Sequence, residues 1–137
     1  MGVQNARRKG GVKMYEIVTK TLPFAVLSME FVSAGEDWQV LFQGGDRPHI
    51  GCTVLAQPRP SLTGSGETSC TASVINLSGH KDEAVCREIA ERLCTRLGAV
   101  VVCSGGFHLD GISREQILQV QEAAREMADQ WLRERER

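Results

Sequence analysis

The chain has 137 residues, of which 42% are hydrophobic, so it carries enough apolar material to bury one continuous core. Its formal net charge of -1 argues against nucleic acid as a partner, because counterion release requires a clustered excess of Lys and Arg. The first residues lack the apolar run of a signal peptide, and no apolar stretch is long enough to cross a bilayer, so we expect no membrane association.

The beginning of the chain is basic, and its first thirteen residues have no apolar face. We therefore predict a disordered basic tail over residues 1–13 and a single α+β domain over residues 14–137. Five runs of strand-forming residues follow, separated by loops rich in Gly, Pro, Ser or Asp. They cover residues 15–22, 24–32, 38–42, 50–56 and 68–77. The short loops between them favour antiparallel pairing.

Residues 81–97 change to helical periodicity, with apolar side chains recurring every three or four positions. Gly98 is expected to end this helix, because glycine adopts the left-handed conformation of a helix C-cap at little cost. The wholly apolar run at 99–103 predicts a central strand that is covered on both faces.

A second helix is predicted to begin with a capping box, in which Ser113 and Gln116 satisfy each other's backbone N–H groups. The alternating charges of residues 133–137 are expected to fray. Together the elements predict an α+β fold, with a mostly antiparallel sheet of about six strands and two helices packed mainly on one face.

The cysteines indicate the compartment. There are five, an odd number, and no two of them form a C-x-x-C pair. Each lies among apolar neighbours in a predicted strand or helix, so we expect buried thiols in a reducing, cytoplasmic environment. The spacing also disfavours a structural zinc site.

Polar loops at the ends of strands are the candidate functional segments, because loops held on a rigid scaffold concentrate binding residues. All three histidines of the chain lie in such loops. The candidate residues are Arg47, His49, Arg59, Ser61, Gly79, His80, Lys81, Phe107 and His108.

The chemistry of these loops leaves several hypotheses open. Residues 78–82 join a strand to a helix, so free N–H groups there suit an anion, although Asp82 also suits a simple helix cap. The three histidines with Asp46 or Asp110 would provide enough ligands for a catalytic metal, but no pair has a recognised metal-binding spacing. A serine hydrolase is disfavoured, because the sequence lacks the G-x-S-x-G nucleophile motif.

Four segments carry a resemblance to a known family: GGDRPHIG at 44–51, PRPSL at 58–62, GHKD at 79–82 and GGFHLD at 105–110. They resemble the prenylated flavin chaperone family, typified by the small accessory protein of bacterial gallate decarboxylase. The resemblance implies a fold similar to that of proteasome assembly chaperones and a homodimer or higher homo-oligomer. It also implies a non-catalytic protein that binds prenylated FMN, or FMN, and assists maturation of a UbiD-type aromatic acid decarboxylase.

If the resemblance holds, simple chemistry suggests roles for the candidate residues. Arg59, Lys81 and the backbone at Gly79 suit a phosphate, whereas His49 and His108 suit the polar edges of the flavin ring. Phe107 suits the added apolar ring. Two alternatives remain: a protein–protein assembly module without a flavin ligand, and a metal enzyme that uses the histidines.

Overall fold

A computed structural model of the chain describes residues 2–9, 12–78 and 81–135, with side chains from residue 15 onward. It contains seven strands: β1 (Gly2–Lys9), β2 (Val12–Thr21), β3 (Val26–Ala34), β4 (Asp37–Gly45), β5 (Cys52–Pro60), β6 (Thr68–Asn76) and β7 (Val101–His108). Helix α1 (Glu83–Leu97) lies between β6 and β7, and α2 (Arg114–Arg135) follows β7.

The strands form one sheet in the order β1-β2-β3-β4-β7-β5-β6. Only β4 and β7 pair in parallel, and every other pair is antiparallel. Alternate residues of β3, β4 and β5 are buried, as expected for strands with one covered face. The buried side chains of both helices join the same core cluster. The predicted α+β fold, with a mostly antiparallel sheet and two helices, is confirmed.

The structure differs from the predicted tail, because residues 2–9 form β1 and pair with β2. An edge strand needs backbone partners rather than an apolar face, and charged residues are common on such edges. Composition alone therefore did not indicate this strand, which raises the strand count from about six to seven.

Two strands extend beyond their predicted ends. β5 continues through Pro58 and Pro60, which pair with β6. Prolines are tolerated there because β7 pairs with β5 only as far as Ala56, so one edge of this stretch needs no N–H donor. β7 continues to His108 because its last residues pair with the end of β4.

The predicted helix signals are confirmed. Gly98 adopts φ 63° at the end of α1. At the start of α2, the Ser113 N–H donates to Gln116 Oε1 at 2.9 Å, and the Gln116 N–H donates to Ser113 Oγ at 3.1 Å.

The predicted fraying is wrong for residues 133–135, because α2 remains helical to Arg135. The Arg135 guanidinium donates to Glu16 Oε1 at 2.8 Å, and Glu16 is fully buried. A long-range ion pair therefore holds the end of α2; residues 136 and 137 lie outside the described residues.

The apolar run at 99–103 contributes to β7, an internal strand, but only one of its faces is covered by helices. Val101 and Cys103 are buried, whereas Val102 on the other face is half-buried. The central position is thus confirmed and the cover on both faces is not.

The cysteines are buried as predicted, except that Cys70 is half-buried. Burial raises the pKa of Cys52 and of Cys94 to about 11. A hydrogen bond with Cys86 and burial raise the pKa of Cys103. These thiols are poor nucleophiles, as expected of structural cysteines. In the described part of the chain, neither helix combines the length and apolar character needed to cross a membrane.

Candidate functional site

The site lies where β5 separates from β7. Just before β5 begins, the Gly51 N–H donates to the Gly105 carbonyl oxygen of β7 at 2.9 Å. Beyond it, the Phe107 N–H donates to Asp82 Oδ1 at 2.9 Å. The Asp82 carboxylate therefore takes the place of a strand partner for the Phe107 N–H of β7.

Asp82 also contacts His49. Its Oδ2 atom lies 3.0 Å from His49 Nε2, and the other ring nitrogen, Nδ1, lies 3.1 Å from the Arg47 carbonyl oxygen. Asp82 is only 8% exposed, so the histidine provides the polar partner that a buried carboxylate needs.

Two glycines leave room for this pair. A Cβ atom at Gly51 would lie 2.1 Å from Asp82 Oδ2. A Cβ atom at Gly106 would lie 2.8 Å from both Asp82 Oδ2 and His49 Nε2. Any larger residue at either position would displace the pair, so the close approach explains why glycine stands at both.

A second polar cluster lies on the other side of His49. His108 Nε2 is 2.9 Å from Asp110 Oδ1, and Arg47 Nη2 lies 3.1 and 3.3 Å from the two oxygens of the same carboxylate. The hydrogen bond with His108 and the charge of Arg47 lower the pKa of Asp110. The rings of His49 and His108 are 6.5 Å apart and nearly perpendicular.

Two adjoining concavities meet at His108. A cavity of about 370 Å³ lies between the start of α1, the end of β7 and the start of α2. Its lining is mostly apolar: Val85, Phe107, Leu109, Ile112, Ile117 and Val120, with Lys81, Asp82, His108 and Gln121 as the polar members. A cleft of about 460 Å³ on the other side is lined by Arg47, Pro48, His49 and His108.

The structure brings together five of the residues predicted from the sequence: Arg47, His49, Lys81, Phe107 and His108. It does not bring Arg59 and Ser61 to them. Because β5 runs antiparallel to β7, its last residues lie at the opposite end of the strands from the site. There Arg59 Nε donates to Thr71 Oγ1 at 2.9 Å. Gly79 and His80 lie outside the described residues.

Sequence reasoning missed the central position of Asp82. It stands at the N-cap of α1, which suggested helix capping, but its side chain makes no capping hydrogen bond. The apolar wall formed by Ile117 and Val120 was missed as well, because apolar residues at helical spacing usually belong to the core. The 43% exposure of Ile117 identifies it as a wall residue.

A metal site has no support in the structure that is described. Within residues 2–9, 12–78 and 81–135, no three His, Cys, Asp or Glu side chains are grouped so that they could hold a metal ion. His80, part of the metal hypothesis, lies outside those residues.

Comparisons with known proteins add the family. No curated protein matches the chain. Among solved structures, the chain is similar to one titled a novel chaperone complex for yeast 20S proteasome assembly, with 12% identity and a TM-score of 0.46. The similarity covers 80% of this chain and 87% of that chain. The model of the prenylated flavin chaperone LpdD-like domain matches residues 24–136. This match spans the sheet from β3 onward, both helices and the whole site, and the chain therefore belongs to the LpdD-like family of prenylated flavin chaperones.

Proposed function

We propose that this protein is a non-catalytic carrier that binds prenylated FMN at the site between α1, β7 and α2 and assists maturation of a UbiD-type aromatic acid decarboxylase. The observation that carries the proposal is the apolar cavity joined at His108 to a cleft of planar and cationic side chains. Family membership supports the same ligand class.

The residues of the site fit such a ligand. Both concavities fall in the range of about 300 to 1,000 Å³ that is typical of small-molecule sites. Apolar side chains such as Phe107 and Ile117 suit the added ring, and the flat groups of Pro48 and His49 suit the flavin ring. Lys81 and Arg47 suit the phosphate.

The acidic residues of the site do not oppose an anionic ligand. The Asp82 carboxylate is bound by His49 and by the Phe107 N–H. The Asp110 carboxylate is bound by Arg47 and His108. Their negative charges are therefore offset locally.

A carrier must also release its ligand. The side chains of Arg47 and Asp110 at the rim are 70% and 69% exposed, so a second protein can reach this edge of the cleft. The rim supports transfer of the cofactor to a decarboxylase rather than permanent burial. The five free cysteines support a cytoplasmic location.

We also propose that the protein forms a homodimer through the free edge of β6. Charged residues and prolines normally prevent edge-to-edge pairing, and this strand, TSCTASVIN, contains neither. Ile75 is 72% exposed there. Light scattering should give twice the monomer mass, and Ile75→Lys, which adds the charge that this edge lacks, should reduce it to one; a wild-type monomer would contradict this proposal.

A pair of matched variants tests the binding site. Ile117 lines the cavity and Leu118 does not, although both are exposed and adjacent on α2. We expect the purified chain to bind reduced or oxidised prenylated FMN, followed by absorbance and fluorescence. Ile117→Trp should fill the cavity and weaken binding at least about tenfold, whereas Leu118→Trp should not. Absence of binding to prenylated FMN and to FMN would refute the proposal.

A transfer experiment tests the carrier role. The loaded chain and free prenylated FMN, at equal cofactor concentration, are each mixed with a UbiD-type decarboxylase that lacks its cofactor. We expect the loaded chain to give the larger active fraction. Equal activation by both would contradict the carrier role without affecting the binding result.

A further inference from the structure

We propose that Asp82 and the Arg47 carbonyl hold His49 as an imidazolium whose nitrogens are both occupied, so that His49 meets the ligand with its ring face. The inference rests on the proposed function for the identity of the ligand. It assigns His49 to stacking, and excludes it from metal ligation and proton abstraction.

The hydrogen-bond pattern carries the first step. Nδ1 of His49 faces the Arg47 carbonyl oxygen at 3.1 Å, and Nε2 faces Asp82 Oδ2 at 3.0 Å. A carbonyl oxygen only accepts, as does an ionised carboxylate, so each contact needs a proton on the ring. A neutral imidazole has one N–H and would leave one of the two contacts without a proton.

The surroundings of Asp82 favour the ionised carboxylate. The Phe107 N–H donates to Oδ1, and hydrogen bonds to a carboxylate stabilise its charged form. Gly51 and Gly106 leave the space in which His49 approaches Oδ2. The imidazolium then compensates a carboxylate that is 8% exposed.

The other groups around His49 are compatible with this charge. The ring of His108 is 6.5 Å away, and its Nε2 is engaged by Asp110. The Arg47 guanidinium also turns to Asp110, so the arginine contributes only its carbonyl oxygen to His49. Asp82 is therefore the partner whose contact requires a second proton on the His49 ring, at Nε2.

The ring face is the part of His49 that remains available. The side chain is 41% exposed and lines the cleft with Pro48. A cationic ring is attracted by the π electrons of an electron-rich aromatic system, and the reduced flavin ring is such a system. His108 differs, because its Nδ1 atom has no partner within the described part of the chain and can make a polar contact.

Nuclear magnetic resonance of the wild-type chain with 15N-labelled histidine tests the protonation state without any ligand. Loss of one signal in His49→Gln assigns the ring among the three histidines. In the folded chain we expect both nitrogens of His49 to carry protons, because each faces an acceptor. In Asp82→Asn, the amide can donate to Nε2, so the ring should become neutral. A neutral His49 ring in the wild type would overturn the inference.

Two titrations test the consequence. Asp82→Asn should weaken binding of reduced prenylated FMN by about threefold to thirtyfold, the range of a cation–π contact. Zn²⁺ should leave the His49 signals of the wild type unchanged; a shift of those signals, or unchanged flavin affinity in the variant, would overturn the stacking role. If the wild type binds no flavin, the proposed function fails, and the protonation result still decides the state of His49.

Discussion

Replacing Arg135 by alanine should destabilise the fold strongly, although the residue lies near the end of the chain. Glu16 is fully buried, and it accepts hydrogen bonds from Arg135 at 2.8 Å and from Trp131 Nε1 at 3.1 Å. Without the guanidinium, the neutral indole would be the one donor left to this buried carboxylate among the described side chains. Breaking a buried ion pair in this way costs about 3 to 5 kcal/mol.

The structure sets the expected value within that range. The Arg135 side chain is 27% exposed, so water can partly replace it and the lower end applies. The same guanidinium lies 4.5 Å from the centre of the Trp38 ring and 4.6 Å from that of Trp131. Each such contact contributes about 0.5 to 1 kcal/mol. We expect the free energy of unfolding to fall by about 3 to 4 kcal/mol.

Urea unfolding followed by tryptophan fluorescence measures this change, since Trp38 and Trp131 are both buried. Arg133→Ala is the matched control, because Arg133 is an exposed arginine of the same helix whose guanidinium donates to Gln130 Oε1, and it should change stability by less than about 0.5 kcal/mol. Combining Arg135→Ala with Glu16→Gln should recover part of the loss, because no buried charge remains. Equal effects of Arg135→Ala and Arg133→Ala would refute the reasoning.

Three further predictions concern single groups. Asp82→Ala should lower the free energy of unfolding by about 1 to 3 kcal/mol in a urea titration, because the half-buried Phe107 N–H loses its acceptor. Asp82→Asn keeps an acceptor and should cost less than about 1 kcal/mol, and equal losses would contradict this. Tyr15, the single tyrosine, should titrate near pH 12 by ultraviolet absorbance, because its hydrogen bond to Glu30 raises its pKa to about 12. The free energy of unfolding should therefore fall as pH rises from about 10 toward 12. Titration of Tyr15 near pH 10 would contradict the contact. An alkylating reagent at pH 8 should modify no more than one thiol of the native chain within minutes, and all five thiols after unfolding. Cys52, for example, has a pKa of about 11, so about one part in a thousand of it is thiolate at this pH. Rapid modification of several native thiols would contradict their burial.

Local signals in the sequence predicted the parts of the fold that depend on neighbouring residues. Gly98 ends α1, and Ser113 and Gln116 begin α2, because these caps involve residues within four positions of each other. The runs of strand-forming residues and the short loops between them likewise indicated a mostly antiparallel sheet.

Contacts between distant residues left no such signal. His49 and Asp82 are 33 residues apart, and Glu16 and Arg135 are 119 residues apart. Asp82 looked like a helix cap because that role depends only on local position, whereas its actual partners are set by where β5 leaves β7. The alternating charges near Arg135 suggested fraying for the same reason.

The candidate site was predictable in part because of strand direction. β4 and β7 are parallel, so the loop after β4, with His49, and the last residue of β7, His108, meet at the same end of the sheet. β5 is antiparallel to β7, so Arg59, near the end of β5, lies at the opposite end of the strands. Sequence motifs identified the loops, but only the pairing of the strands decides which of them share a site.

The most direct test of the account is a map of backbone amide shifts when prenylated FMN is added to the 15N-labelled chain. We predict that Phe107, His108 and Leu109 shift together with Ile117, while Arg59 and Ser61 at the opposite end of the strands do not. Shifts confined to the Arg59 end, or no shifts at all, would contradict the claim that this protein holds the flavin between α1, β7 and α2.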